Sequence, residues 1–494
     1  MSKYITFILL SILLISSSAF GMQVLTQSDF IKQAIESNPS YQISAQEYLI
    51  ALERNKSAKS LEDWNLILSG LWNESSPAPI STFSSTYQKT MGYTVGLEKY
   101  IAQTGTAIQL EHANTRIDAT YPPPTAIPGV GTLDFNPPSK YYLSSVSVTI
   151  VQPLLKNAWG LAAKNALKMS DYSLRLAELK LSEDWEDFIS LLRKEYLIWQ
   201  KCARNITLVK GQVKTVNDQL ALIKKQLKYG LSEDLDVVQL EQKREAYRIM
   251  LEQAHLACDT QTRKIFQLMG KTNTDTANTS PEKFAPNGSI MDKKTASTYL
   301  AENSNLKMTA DILVDLQNVN LDTKENAKQM DVSLVLSAKP NAFSEGFGDS
   351  LTQIGEYSEK TVSVTASRPL GNDQAEAEAE QARIEYEKSI REKEKILLNA
   401  EMGLSALYKN LDGLDNMIEL SRNNLKLAKR RLALEKRKFN QGRNSVFFVL
   451  QADDDLLKAE SSLNETIFAR EEVINQIKTL TDRYLVEYKD ILKL

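Results

Sequence analysis

The sequence is poor in the residues from which most active sites are built. Its 494 residues include two cysteines, Cys202 and Cys258, and two histidines, His112 and His255, too few for a disulfide framework or a clustered metal site. There is no Ser-His-Asp order, phosphate loop or metal-ligand spacing, so neither an enzyme nor a cofactor is expected. A basic excess is missing too. The formal charge is -3, from 59 basic and 62 acidic residues, and no nucleic-acid partner is expected. Beyond the N-terminus no stretch approaches the roughly 20 apolar residues of a transmembrane helix.

What is present begins with MSKYITFILLSILLISSSAFGMQ. Lys3 precedes an apolar run, Ile5 to Ile15, and Ala19 and Gly21 place small residues at a cleavage site. This pattern predicts a signal peptide over 1–21. The apolar run is short for a membrane anchor, and no cysteine near the cleavage site offers a lipid anchor. The chain is therefore read as exported, and as either soluble or a β-type membrane protein.

The mature chain repeats itself. Ser147-Val148-Thr149 with Pro153-Leu154 returns as Ser363-Val364-Thr365 with Pro369-Leu370, at an offset of 216. Gly230 and Gln239 return as Gly442 and Gln451 at an offset of 212, and Leu68-Ser69-Gly70 resembles Leu336-Ser337-Ala338 at 268. The difference between 268 and 216 leaves about 50 additional residues among the strands of the first half. Each half has the order opening helix, strands, very long helix, glycine break, long helix. The predicted divisions are 22–63 (opening helix, patterned over Gln27 to Glu62), 64–155 (strands and loop) and 156–270 (helical hairpin). A linker, 271–297, is rich in Thr, Asn, Ser and Pro. The second half follows as 298–329 (opening helix, patterned from Thr295 to Gln329), 330–370 (strands), 371–486 (hairpin) and a tail, 487–494.

Strands show through period-two alternation. Val146, Val148 and Ile150 oppose Ser145, Ser147 and Thr149; Val362, Val364 and Ala366 oppose Thr361, Ser363 and Thr365; Val332, Leu334 and Leu336 form a further stripe, as do Tyr93, Val95 and Leu97. Aromatics stand at strand ends, among them Trp64, Trp72, Tyr93, Tyr100, Tyr141, Tyr142 and Tyr357, as in the girdles of membrane barrels, although soluble sheets favour aromatics as well. The extra segment from Tyr93 to Arg116 either adds a hairpin to the sheet or packs elsewhere, leaving four or six strands per chain.

The helices carry seven-residue repeats. Positions 192, 199, 206, 213, 220 and 227 are Leu, Trp, Ile, Val, Leu and Leu, and Leu404, Leu407, Leu411, Leu414, Ile418, Leu425, Ala428, Leu432 and Phe439 line the second half. Heptads sustained this long predict coiled coil. A short glycine break forces the flanking helices to run antiparallel. Four to six strands cannot close a membrane barrel within one chain, and lipid does not tolerate an open sheet edge. Strands in a membrane therefore require oligomerisation, with the helices continuing as a tube.

In these features the chain resembles the TolC-like outer-membrane channel proteins, the exit ducts of efflux pumps and type I secretion systems. The resemblance covers essentially the whole mature chain. It rests on the repeat, on VSVTIVQPLL and VSVTASRPLG, and on the breaks YGLSEDLDVVQLE and FNQGRNSVFFVLQAD. It implies a fold that is mainly α with membrane β, in which two structural repeats of long antiparallel coiled-coil helices contribute strands to a shared trimeric β-barrel. It implies a homotrimer in outer-membrane lipid that extends into the periplasm and works with a periplasmic adaptor and an inner-membrane pump. The tips Gly230, Leu231, Ser232 and Gly442 would dock the adaptor. A gate would involve Asp236, Phe439, Arg443 and Asn444. The match is partial: Leu235 replaces a hydroxyl residue, Phe439 a tyrosine and Asn444 an arginine, with Arg443 adjacent. Phe448 and Gln451 stand where acidic residues narrow the tunnel, and the acidic run Asp453 to Asp455 lies one turn on. Asp236 also reads as an ordinary acid in the first turn of a helix, and Phe447 and Phe448 read as packing residues.

Cys202 and Cys258 fall about 30 residues before and 26 after a turn near 231–232, on the same apolar seam. A bridge, which an oxidising periplasm permits, and two small buried seam residues are both open readings, the second being the plainer. The competing view of the whole chain is a periplasmic coiled-coil adaptor or scaffold with a small soluble β-domain. Two equivalent hairpins in one chain favour the duct.

Overall fold

A computed structural model describes residues 23–78, 84–123, 125–127, 131–133, 136–271, 279–286 and 289–489. The expected signal peptide, parts of the Tyr121–Pro138 loop and of the 271–297 linker, and the last residues of the tail lie outside the described residues. Along the chain run β1 (Gln23–Leu25), α1 (Gln27–Ser37), α2 (Pro39–Lys59), β2 (Asn65–Ser75), β3 (Tyr87–Ile101), β4 (Thr106–Thr120), β5 (Thr125–Ile127), β6 (Gly131–Leu133) and β7 (Lys140–Pro153), then α3 (Leu161–Lys228) and α4 (Asp234–Leu268). The second half holds β8 (Thr279–Pro281), α5 (Lys293–Glu302), α6 (Asn305–Ala327), β9 (Asp331–Ser344), α7 (Phe347–Thr352), β10 (Tyr357–Ser367), α8 (Asp373–Asn440), α9 (Val446–Leu480) and α10 (Arg483–Glu487). The protein is mainly helical with one large antiparallel sheet, and among the described residues no helix is long and apolar enough to cross a membrane.

Each opening helix is two helices rather than the single one the pattern suggests. Asn38 sits in an extended conformation before Pro39, because a proline ring disfavours the helical conformation of the residue it follows. In the second half Ser304 breaks the run, its hydroxyl accepting the Lys307 amide at 3.2 Å to start α6.

The described residues form two compact units, each drawn from both halves: those within 1–46, 180–307 and 397–494 in the first, and those within 47–179 and 308–396 in the second. The first unit is built twice over. Phe30, Ile31 and Ala34 of α1 pack on Trp185, Ile189, Leu192, Tyr196 and Trp199 of α3 and on Ile265 of α4. Ala296 and Leu300 of α5 pack on Leu404, Tyr408 and Leu411 of α8 and on Val473, Ile474 and Ile477 of α9. The heptad residues are the ones buried: Leu192, Trp199, Val209, Val216, Leu220 and Ile223 are at most 5 % exposed. On the same seam Cys202 and Cys258 form a disulfide, with Cα atoms 5.3 Å apart. They stand equidistant, 28 residues, from Gly230, so an antiparallel hairpin turning at that glycine brings them level, within disulfide span. The plainer reading of two unbonded seam residues is thereby corrected.

The second unit carries the sheet, a six-stranded antiparallel meander in the order β10-β9-β7-β4-β3-β2. The extra segment of the first half joins it as the β3–β4 hairpin, so that among the described residues this sheet has six strands rather than four. The registers align one apolar row across the sheet: Leu66 faces Leu97, Leu97 faces Leu110 and Leu110 faces Val148. A neighbouring row runs from Ile150 through Leu336 to Val362. The opposite face presents Ser69, Thr94, Thr115, Ser147, Thr149, Ser337, Ser363 and Thr365, as the pleat requires. At the rim of the apolar face α7 is held by Ser350, whose hydroxyl lies 2.8 Å from that of Ser144 and accepts from the Asn114 amide at 3.2 Å.

Candidate functional site

Both glycine breaks end their helices in the same way. Gly230 (φ +70°) donates its amide to the Leu227 carbonyl, and Leu231 donates to Gln226, both at 3.0 Å. Gly442 (φ +67°) donates to Phe439 at 2.9 Å and Arg443 donates to Lys438 at 3.0 Å. Each is a Schellman cap, in which a residue in the left-handed region closes the last turn, and only glycine adopts it at little cost. The next helices then start afresh at Asp234 and Val446.

The gate candidates divide between two local arrangements. Asp236 closes the start of its own helix: its carboxylate accepts from the Ser232 hydroxyl at 2.8 Å and from the Glu233 amide at 3.2 Å. Asn444 donates to Glu435 at 2.5 Å, and its carbonyl oxygen accepts the Ser445 amide at 3.0 Å. Phe439 packs with Leu220, Ile223, Leu240 and Val446. Arg443 is exposed. Among the described residues of one chain, no hydrogen bond joins Asp236 to Asn444 or Arg443. The tips are nonetheless neighbours: Gly230, Leu231, Ser232 and Asp236 share a cleft of about 580 Å³ with Phe439, Gly442, Asn444 and Phe447. The tips are also apolar outside, Tyr229, Leu231, Leu235, Val238 and Phe447 each being more than half exposed.

A polar clamp about three helical turns further in was not legible in the sequence. The Tyr247 hydroxyl of α4 donates to Asp454 of α9 at 3.0 Å and lies 3.2 Å from Asp453. Lys243 forms an ion pair with the same Asp454 oxygen, and its ammonium lies 4.8 Å from the Tyr247 ring centroid. Arg431 of α8 pairs with Asp455. The three consecutive acids thus reach three different partners on two helices. Asp453 is fully buried, and burial raises its pKa against the pull of Lys436, Tyr247 and Lys243. The acidic triplet and the helical position of Tyr247 were each visible in the sequence. Their meeting depends on how α4 packs against α9, which no spacing within one helix records.

Among the described residues no group of His, Cys, Asp or Glu is arranged to hold a metal. What this region offers is a pair of helix ends closed by glycine caps, a cleft between them, and a charged clamp behind.

No family model and no curated protein matches the sequence. Solved structures do. CusC, described by its conformational changes in folding and transmembrane channel formation, superposes with a TM-score of 0.67 at 14% identity, over 94% of this chain and 95% of that one. The outer membrane protein VceC of Vibrio cholerae gives 0.67 at 14% identity, over 92% and 96%. The MtrE outer membrane channel of Neisseria gonorrhoeae in its open state gives 0.62 at 13%, over 94% and 93%. The chain has the fold of TolC-like outer-membrane channels. At this identity the likeness speaks for the fold, and it extends over nearly the full length of both partners, strands and hairpins together.

Proposed function

We propose that the protein is an outer-membrane exit duct of a tripartite efflux pump or type I secretion system. It would conduct substrate passively from an inner-membrane pump to the outside. One observation carries this reading: a single chain holds both a six-stranded sheet with an apolar face and open edges and two equivalent helical hairpins ending in glycine-capped tips. An amphipathic sheet of this kind suits lipid on one face and water on the other. Its six strands need partners to close, and a homotrimer with helices forming a periplasmic tunnel supplies them. The comparisons support the reading at the level of fold.

At the periplasmic entrance, the exposed Leu231 and the half-buried Ser232 beside Gly230 and Gly442 form the adaptor-docking tips, because apolar surface of this extent calls for a cover. Asp236, Phe439, Arg443 and Asn444 line the gate. Across subunits the exposed Arg443 is the partner available for a latch, since Asn444 is engaged by Glu435 and Asp236 by Ser232 and the Glu233 amide. The test is fractionation of expressing cells. Recovery in the outer membrane as a heat- or SDS-resistant oligomer is the expected result; a soluble periplasmic monomer would overturn the duct and favour an adaptor or scaffold.

A further inference from the structure

We propose that Asp453 is a proton sensor for the tips: with its carboxyl protonated, the run Asp453–Tyr247–Asp454–Lys243 holds α4 to α9, and a rise in pH loosens that hold. The inference rests on the duct reading for what the hold closes. It adds the group that titrates and the direction of the response.

The sequence places Asp453, Asp454 and Asp455 side by side on α9, and the fold gives each different surroundings. Asp455 pairs with Arg431 of α8, and Asp454 with Lys243 of α4, both at partly open positions. Asp453 is fully buried. Its Oδ1 has no hydrogen-bond partner within the chain. Its Oδ2 lies 3.2 Å from the Tyr247 hydroxyl, which lies 3.0 Å from Asp454 Oδ1.

A phenol has one hydrogen to give. With Asp453 and Asp454 both ionised, Tyr247 serves only one of them, and its other contact sets two acceptor oxygens against each other. A buried carboxylate with so few donors is costly. A proton on Asp453 Oδ2 removes the conflict. The acid then donates to the phenol oxygen, the phenol donates to Asp454, and Asp454 keeps its ion pair with Lys243. Oδ1 becomes the carbonyl oxygen of a neutral acid, which loses far less than a carboxylate when left unbonded. Burial and both aspartates raise the pKa of Tyr247 as well, so the phenol keeps its hydrogen.

The charged groups around Asp453 come from three helices. Lys436 faces it from α8 and Lys243 from α4, and both favour the anion; Asp454 beside it on α9 opposes the anion. The helix α3 adds the apolar Val213 and Val216 to the packing about Tyr247. Burial outweighs the two lysines and holds the pKa above the ordinary 3.8. Below the ordinary value an opened and a closed clamp both hold the proton. Between the ordinary and the raised value a closed clamp keeps it and an opened one releases it to water, so each pH unit favours opening by up to about tenfold. Above the raised value the closed clamp is ionised too. It is then one hydrogen bond short, with two adjacent anions on one Lys243 ammonium. Because α4 and α9 belong to different hairpins, the loss falls on the contact between them.

The test uses the full-length oligomer from outer membranes, intact and as Asp453→Asn, an isostere whose amide donates to Tyr247 at every pH. Infrared difference spectra between the two should show the carbonyl stretch of a protonated acid in the intact protein, fading with a midpoint above the ordinary 3.8. A midpoint at or below that value overturns the assignment. In planar bilayers the closed-state conductance of the intact protein should rise with pH, while that of Asp453→Asn stays low and flat. A variant that keeps the full pH response overturns the sensor. Lys436→Met, outside the hydrogen-bonded run, removes a cation that favours the anion and should move both curves to higher pH; curves that stay in place count against the proposal. The spectra need no conduction. A conducting oligomer with an ordinary midpoint defeats this inference alone, whereas a raised midpoint in a protein that never conducts defeats the duct.

Discussion

Tyr196 and Tyr408, 212 residues apart, make the same hydrogen bond. The first donates to the Leu25 carbonyl at 2.7 Å and the second to the Met291 carbonyl at 2.6 Å, and each acceptor lies two residues before an opening helix, α1 or α5. Each side chain is more than 90% buried, so neither hydroxyl has water as a substitute. Tyr196→Phe and Tyr408→Phe should each lower stability by about 1 kcal/mol, read by thermal unfolding at matched protein concentration. Two similar losses support the equivalence of the halves; a loss at one site alone would contradict it.

The Cys202–Cys258 bridge staples α3 to α4 across a 56-residue separation. Replacing both by serine should lower stability by about 2–4 kcal/mol. Non-reducing mass mapping of the mature protein should find no free thiol. Two free thiols would remove the staple from the account.

Glu186 is buried against the chain end, where its carboxylate accepts the Leu485 amide at 2.7 Å. Burial raises its pKa from 4.5 to about 8, with Asp482 and Glu487 adding to the rise and the Leu485 and Tyr484 amides opposing it. The sign follows from linkage. Below about pH 4.5 both folded and unfolded chains hold the proton and burial adds no penalty. Between there and about pH 8 the unfolded chain releases its proton while the folded one keeps it, and stability falls. The full fall is roughly 4–5 kcal/mol. Glu186→Gln should flatten that part of the stability profile. Parallel profiles for both proteins between pH 5 and 8 would show that the carboxyl is not held neutral.

The clamp of Lys243, Tyr247 and Asp454 ties the two hairpins behind their tips. In a double-mutant cycle Lys243→Met and Asp454→Asn should show a coupling of roughly 1–3 kcal/mol, and Asp454→Asn should raise the closed-state conductance of the reconstituted channel. Independent effects of the two substitutions would reduce the clamp to surface charge.

The architecture was legible in the sequence because it is periodic. Leu192 and Trp199 lie on an unbroken seven-residue row, and Val146, Val148 and Ile150 alternate with hydroxyl residues, so one-dimensional spacing reports which face is buried. The glycines at 230 and 442 marked the turns by their chemistry. Pairing across elements was less legible. Whether the Tyr93–Arg116 segment joined the sheet depended on non-local registers such as Leu110 with Val148. Whether the cysteines bonded depended on how closely α3 and α4 approach. At the tips, Asp236 lay where a latch residue was expected, yet its carboxylate closes the start of its own helix, a local competition that residue identity alone leaves undecided.

Single-channel recording shows whether copies of this chain assemble into a water-filled duct. The oligomer purified from outer membranes and inserted into a planar bilayer should give discrete, long-lived conductance steps, and substitution of Asp236 by Ala should raise the conductance of its closed state. Protein that neither inserts nor conducts, and that stays monomeric in the absence of detergent, would contradict the account.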